Sequence, residues 1–120
     1  MILVDTNAWV QHLRSKDARL VRFLLEHRVR TCEVVIGELL LGSGLPAGFA
    51  SDLRALPRLP CPSAVETREF IERHGRTFRG AGAGWADAQI VLAAVKAGAR
   101  MHTSDRAVRH ICVEVGIALA

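Results

Sequence analysis

Four acidic residues carry the chemical interest of this chain: Asp5, Glu38, Asp87 and Asp105. Asp5 closes the apolar triplet Ile2-Leu3-Val4 and precedes the polar pair Thr6-Asn7. Glu38 lies inside Val34-Val35-Ile36-Gly37 and Leu39-Leu40-Leu41, where an uncompensated charge is costly to bury. Asp87 falls between Trp85 and Ile90-Val91-Leu92, and Asp105 comes directly after Arg100-Met101-His102-Thr103-Ser104. Carboxylates gathered at one place repel one another, and some would have to stay protonated. A divalent cation removes that conflict. An oxygen-only donor set favours Mg²⁺ or Mn²⁺ over zinc, and Mg²⁺ keeps positions for water and a substrate phosphate. The chemistry this combination suits is phosphodiester hydrolysis by a metal-activated water. Taken singly, each Asp also reads as a helix cap; Glu38 has no such explanation.

The elements around these residues must bring them together. Helix-like and strand-like stretches alternate, which predicts an α/β fold with a parallel sheet covered on both faces. Strands are expected at ILV, VRTC, RLPC, RMHT and IAL, the third weakened by its prolines. Helices are expected at NAWVQHLR, DARLVRFLLEHR, EVVIGELLLG, FASDLRAL, SAVETREFIERHGRTF, WADAQIVLAAVKAGA and DRAVRHICVEVG. Asp17 suits an N-cap, and His27 shares an apolar spacing with Leu20, Phe23 and Leu24. Ser63 and Glu66 form a capping-box pattern, with Glu69–Arg73 and Glu72–Arg76 as i,i+4 pairs. RGAGAG reads as a flexible turn. In an open parallel sheet, ligands bind beyond the carboxyl ends of the strands, where Asp5 and Asp105 fall. Asp87 to Ala97 is ~16 Å of helix, and Arg100 to Ser104 is ~16 Å of strand. The chain therefore returns Asp105 to the level of Asp87.

The totals fit this picture. The 120 residues suit one domain, 1–120, and half are hydrophobic. Lys plus Arg number 16 against 12 Asp plus Glu, a net charge of +4 that leans towards an anionic partner such as nucleic acid. All but Lys16 and Lys96 are Arg, which suits bidentate phosphate contact. Cys32, Cys61 and Cys112 are odd in number, show no metal-binding spacing and lie in apolar segments, so buried free thiols in a reducing cytoplasm are expected. No apolar run is long enough for a membrane span, and the N-terminus lacks a signal-peptide pattern.

The motifs LVDTN, VVIGELLLG and WADAQIVLAAVKAGARMHTSD, in this order and with these gaps, resemble those of PIN domains, and specifically the VapC toxins of bacterial toxin–antitoxin pairs. The resemblance spans essentially the whole chain. It implies a three-layer α/β/α sandwich around a short-stranded parallel sheet, and a Mg²⁺- or Mn²⁺-dependent endoribonuclease leaving a 5′-phosphate and a 3′-hydroxyl. It carries the family's acidic residues onto Asp5, Glu38, Asp87 and Asp105. Asp5, Glu38 and Asp87 would hold the metal, and Asp105 would complete the site or position the water. Thr103 matches a hydroxyl position beside the last acid, and Thr6 or Asn7 would orient Asp5. Arg79, Arg106 and Arg109 are candidates for gripping RNA phosphates. A homodimer and a small VapB-like antitoxin, with a basic side chain in the cation's place, are also implied. The sequence departs from many relatives in having Ala107 and Val108 where a further acid is often found, so a one-metal site stays open.

Other readings of these residues remain open. A metal-independent ribonuclease would pair histidines as acid and base, but His12, His27, His74, His102 and His110 fall on different predicted elements. A receiver-like phosphoacceptor wants paired acids after the first strand and a Lys beyond a late one; here Thr6-Asn7 come after Asp5, and Lys96 lies inside a helix. A catalytically inactive RNA-binding scaffold would not need the full acid set.

Overall fold

The computed structural model describes residues 1–120. Its centre is β1 (Ile2–Val4), which pairs in parallel with β2 (Val29–Arg30) on one side and β3 (Arg100–His102) on the other, giving the order β2-β1-β3. Ile2, Leu3 and Val4 are completely buried, as a central strand covered on both faces requires. The register sets Val4 beside His102, so the chain leaves β1 and β3 at the same edge. Asp5 is the first residue beyond β1, and Thr103, Ser104 and Asp105 are the first three beyond β3.

The strands are linked by helices: α1 (Thr6–Arg14), α2 (Ala18–Leu25), α3 (Glu33–Leu41), α4 (Phe49–Ala55), α5 (Ala64–Arg73), α6 (Gly75–Phe78), α7 (Trp85–Ala97) and α8 (Arg106–Val115). Local chemistry explains several boundaries. Asp17 caps α2 by accepting from the Arg19 and Leu20 amides. Ser63 and Glu66 form the expected capping box at α5. Gly98 ends α7 in the left-handed conformation, φ +66°, where a β-carbon would be strained; this turn sends the chain back into β3. The core is a continuous cluster uniting β1, the inner faces of α2, α3, α7 and α8, and the long buried run Ile90–Ala94 of α7.

Five expectations need correction. RLPC and IAL do not form strands; each makes a single parallel bridge, Thr31 with Arg58 and Met101 with Leu119. Pro57, Pro60 and Pro62 lack the N–H groups a longer ladder needs. The helix containing α2 stops at Leu25, and His27 is exposed with φ +57°, off the apolar face on which its spacing placed it. The helix from Ser63 breaks at His74, before Gly75, giving α5 and α6. Neither Glu69–Arg73 nor Glu72–Arg76 forms; Glu72 pairs with Arg68 instead. Cys61 is exposed in its proline-flanked stretch, whereas Cys32 and Cys112 are buried; all three are free thiols.

Candidate active site

Asp5 is the most enclosed of the four acids, 3% exposed at the end of β1. Its side chain is also the N-cap of α1: Oδ1 accepts from the Ala8 amide at 2.9 Å. The buried Thr103 hydroxyl donates to Oδ2. Burial pushes the Asp5 carboxyl up to about 6, against these two hydrogen bonds, and the charges of Asp87 and Asp105 push the same way.

Asp87 lies in the first turn of α7, where its Oδ2 accepts from the Gly84 amide at 3.1 Å. Its carboxyl is also raised, first by burial and then by the charge of Asp105, with the Gly84 bond opposing. Asp105 caps α8, with Oδ1 accepting from the Val108 amide at 3.1 Å. Three carboxylates from β1, α7 and the loop after β3 therefore act on one another at the carboxyl edge of the sheet. Each also makes a cap or first-turn contact, so the capping and cluster readings of these residues hold together.

Glu38 stands on the other flank of α1. It is half-buried, and its Oε1 accepts from the Thr6 hydroxyl at 2.5 Å. Glu38 thus joins Asp5 through the adjacent residue and does not figure among the charges acting on Asp5. Asn7 serves Asp105 in the same way, donating from Nδ2 to Oδ2 at 2.8 Å. The expectation that Thr6 or Asn7 orients Asp5 is corrected: that role falls to Thr103, while Thr6 holds Glu38 and Asn7 holds Asp105. The reason is helical geometry. Once Asp5 turns back to cap α1, the next two side chains splay to opposite sides.

No three acidic, histidine or cysteine side chains close into a cage that could hold a metal ion by themselves. The donors are nevertheless all carboxylate oxygens, held by neighbouring hydrogen bonds. The first turn of α8 contains no acid, so Ala107 and Val108 contribute no further ligand. Of the basic candidates, Arg106 lines a cleft with Asn7 and Asp105. Arg79 and Arg109 do not line that cleft; Arg79 folds its guanidinium over Gly75. The histidines are dispersed. His12 Nδ1 accepts from the Asp17 amide, His102 is buried against Asp17, His74 packs edge-on to Phe70, and His27 and His110 are exposed. Two ring nitrogens thus meet Asp17 in structural bonds, and no free acid–base pair results.

This placement of acids at the edge of a short parallel sheet has relatives. The family model for the PIN domain matches residues 2–114. The chain belongs to the PIN-domain family. It is 39% identical over 122 aligned positions to proteins named Ribonuclease VapC32 from two strains of Mycobacterium tuberculosis, covering all of this chain and 97% of theirs. That full-length match places it with the VapC group of PIN domains. Among solved structures, the fold is similar to FitAcB from Neisseria gonorrhoeae, with a TM-score of 0.61, 21% identity and coverage of 99% of this chain and 96% of that one. It is also similar to PAE2754 from Pyrobaculum aerophilum, with a TM-score of 0.60, 17% identity and coverage of 89% and 81%. Both likenesses bear on the α/β architecture of the PIN domain.

Proposed function

We propose that residues 1–120 form one PIN unit that acts as a Mg²⁺- or Mn²⁺-dependent endoribonuclease, the toxin of a type II toxin–antitoxin pair working in the cytoplasm. The observation that carries this reading is geometric: Asp5 and Asp105 come off the paired ends of β1 and β3, and Asp87 opens the helix that leads into β3. The full-length similarity to proteins named ribonucleases supports the substrate class.

The residues fit a hard divalent ion. Their donors are oxygen only, and such an ion takes few protein carboxylates and keeps its waters, so a closed cage is not required. In this reading Asp5, Asp87 and Glu38 hold the ion directly or through water, and Asp105 completes the site or positions the attacking water. When bound, the ion lowers the pKa of that water and offsets charge on the scissile phosphate. The rest is the work of the chain. Thr103 fixes Asp5, Thr6 fixes Glu38 and Asn7 fixes Asp105, so the acids keep their spacing as substrate arrives. Arg106 grips RNA phosphate from the cleft beside Asp105. The partners in this proposal are RNA, a second copy of the chain, and a VapB-like antitoxin whose basic side chain occupies the cation's place.

The test is cleavage of total cellular RNA by purified protein with and without Mg²⁺, mapping the new 5′ ends. Asp5→Asn and Asp87→Asn should each abolish cleavage and growth inhibition while the far-ultraviolet circular dichroism stays unchanged. Retained cleavage by pure mutant protein, or full activity in EDTA with cyclic phosphate products, overturns the proposal.

A further inference from the structure

Two depressions flank α1, and each starts at one of the hydrogen-bonded pairs. The smaller, about 260 Å³, starts at Thr6 and Glu38 and runs past Leu13, Leu39 and Leu45. The larger, about 600 Å³, starts at Asn7 and Asp105 and is bordered by Gln11, Ser104 and Arg106. Val10 and Arg14 line both. Thr6, Val10 and Arg14 lie at i, i+4 and i+8, a single stripe that forms the wall between the depressions. Arg14 stands at the far end of this wall, ~12 Å along the helix from Thr6.

Arg14 is exposed and forms no ion pair within the chain, whereas Arg28, Arg58 and Arg68 each have a glutamate partner. Nor does it figure among the charges acting on Asp5 and Asp87. Its charge is therefore free to meet an anion from outside. The two hollows differ in character. The larger is lined by two arginines, Arg14 and Arg106, and by the polar Asn7, Gln11 and Ser104 beside Asp105; this lining suits a phosphate–sugar backbone that approaches the acidic edge. The smaller has apolar walls that suit the face of an unstacked base.

Building on the ribonuclease reading, we infer that Arg14 is a substrate-positioning residue: it binds the backbone phosphate of a nucleotide neighbouring the scissile one, seating the RNA strand across the α1 ridge between the two depressions. Arg14 touches no reacting atom. It acts by holding the strand in register over the acids, a contribution made equally to bound substrate and transition state.

The experiment compares Arg14→Ala and Arg14→Lys with the parent protein. Binding of a fluorescein-labelled, mixed-sequence single-stranded RNA is followed by anisotropy in an Asp5→Asn background that keeps the RNA intact. Arg14→Ala should weaken binding roughly fivefold to tenfold and reduce the slope of log K against log salt by about 0.7, the loss of one phosphate contact on a single strand. Arg14→Lys should keep most of the salt slope. In the otherwise native enzyme, Arg14→Ala should raise KM and leave kcat within about twofold. Unchanged affinity and salt slope for Arg14→Ala overturn the assignment, as does a fall in kcat at constant KM. If Asp5→Asn and Asp87→Asn abolish cleavage but Arg14→Ala binds like the parent, only the role of Arg14 fails. If those two variants cut RNA normally, the ribonuclease reading itself fails.

Discussion

Thr6 and Asn7 show how two adjacent side chains can serve two acids that are distant in sequence. Thr6 donates to Glu38 and Asn7 to Asp105. Each bond fixes a carboxylate whose own backbone belongs to another element. Thr6→Val keeps the branched shape and removes the donor, so Glu38 should lose its orientation while α1 survives. Cleavage should fall ~10- to 100-fold, the range seen when the partner of a metal-site ligand is removed. Thr6→Ser should restore most of it. Initial rates at saturating Mn²⁺, compared with Mn²⁺ affinity by calorimetry, separate lost ligand orientation from lost ion binding. Equal rates for Thr6→Val and the parent would show that Glu38 is held by its packing alone.

Between elements, the Asp17–His102 pair ties the start of α2 to the end of β3. Asp17 Oδ2 lies 2.7 Å from His102 Nε2, and its other oxygen caps α2. His102 sits one residue before Thr103, and its carbonyl accepts from the Asp5 amide at 3.1 Å, so this tie underlies the acidic edge. Burial pushes the Asp17 carboxyl up, but the His102 and backbone hydrogen bonds outweigh it and hold the carboxyl below its ordinary value. A depressed folded-state pKa contributes stability that is fully present above the unfolded value, ~3.9, and is lost as pH falls through the folded one. In urea unfolding, Asp17→Asn should therefore be less stable than the parent at neutral pH, and the gap should close as pH falls below about 5; the raised Asp5 and Asp87 act with the opposite sign, but alike in both proteins. A variant with the parent's acid limb would remove Asp17 from that role. At the other end of β3, Gly98→Ala should cost about 1 kcal/mol in the same assay, because the turn out of α7 holds a left-handed residue.

For the molecule as a whole, the thiols report how tightly the fold is closed. Cys61 is exposed, and Cys32 and Cys112 are buried. Burial raises both buried thiols, Cys112 to about 11 with the nearby Asp5 charge adding to the effect. The thiolate is the reactive form, so two of the three should be inert at neutral pH. Titration of the native protein with a disulfide reagent should give one fast equivalent, and three after denaturation in guanidinium. Fast reaction of Cys112 would mean that α8 opens away from the sheet. No helix is long and apolar enough to cross a membrane. The excess of Arg is only partly neutralised by ion pairs such as those of Arg28, Arg58 and Arg68, leaving Arg14 and Arg106 along the cleft that also includes Asp105.

Much of the fold was legible in the residues because its signals are local. Apolar runs of three beside amphipathic stretches mark a parallel sheet under helices, the Ser63–Glu66 spacing marks a helix start, and equal travel along α7 and β3 returns Asp105 to the level of Asp87. The acids could be named because carboxylates at strand ends or in apolar runs stand out without any partner being known. The PIN motifs, once seen in order, supplied the family. What the chain could not announce were relations between elements: the strand order β2-β1-β3, the failure of Arg58–Cys61 to extend a ladder, and the exposure of His27 and Cys61. Least legible was the division of labour among Thr6, Asn7 and Thr103. Hydrogen bonds are directional and short, so which acid a hydroxyl or amide serves depends on how α1, α3 and α8 are rotated against one another, and only the packed structure decides that.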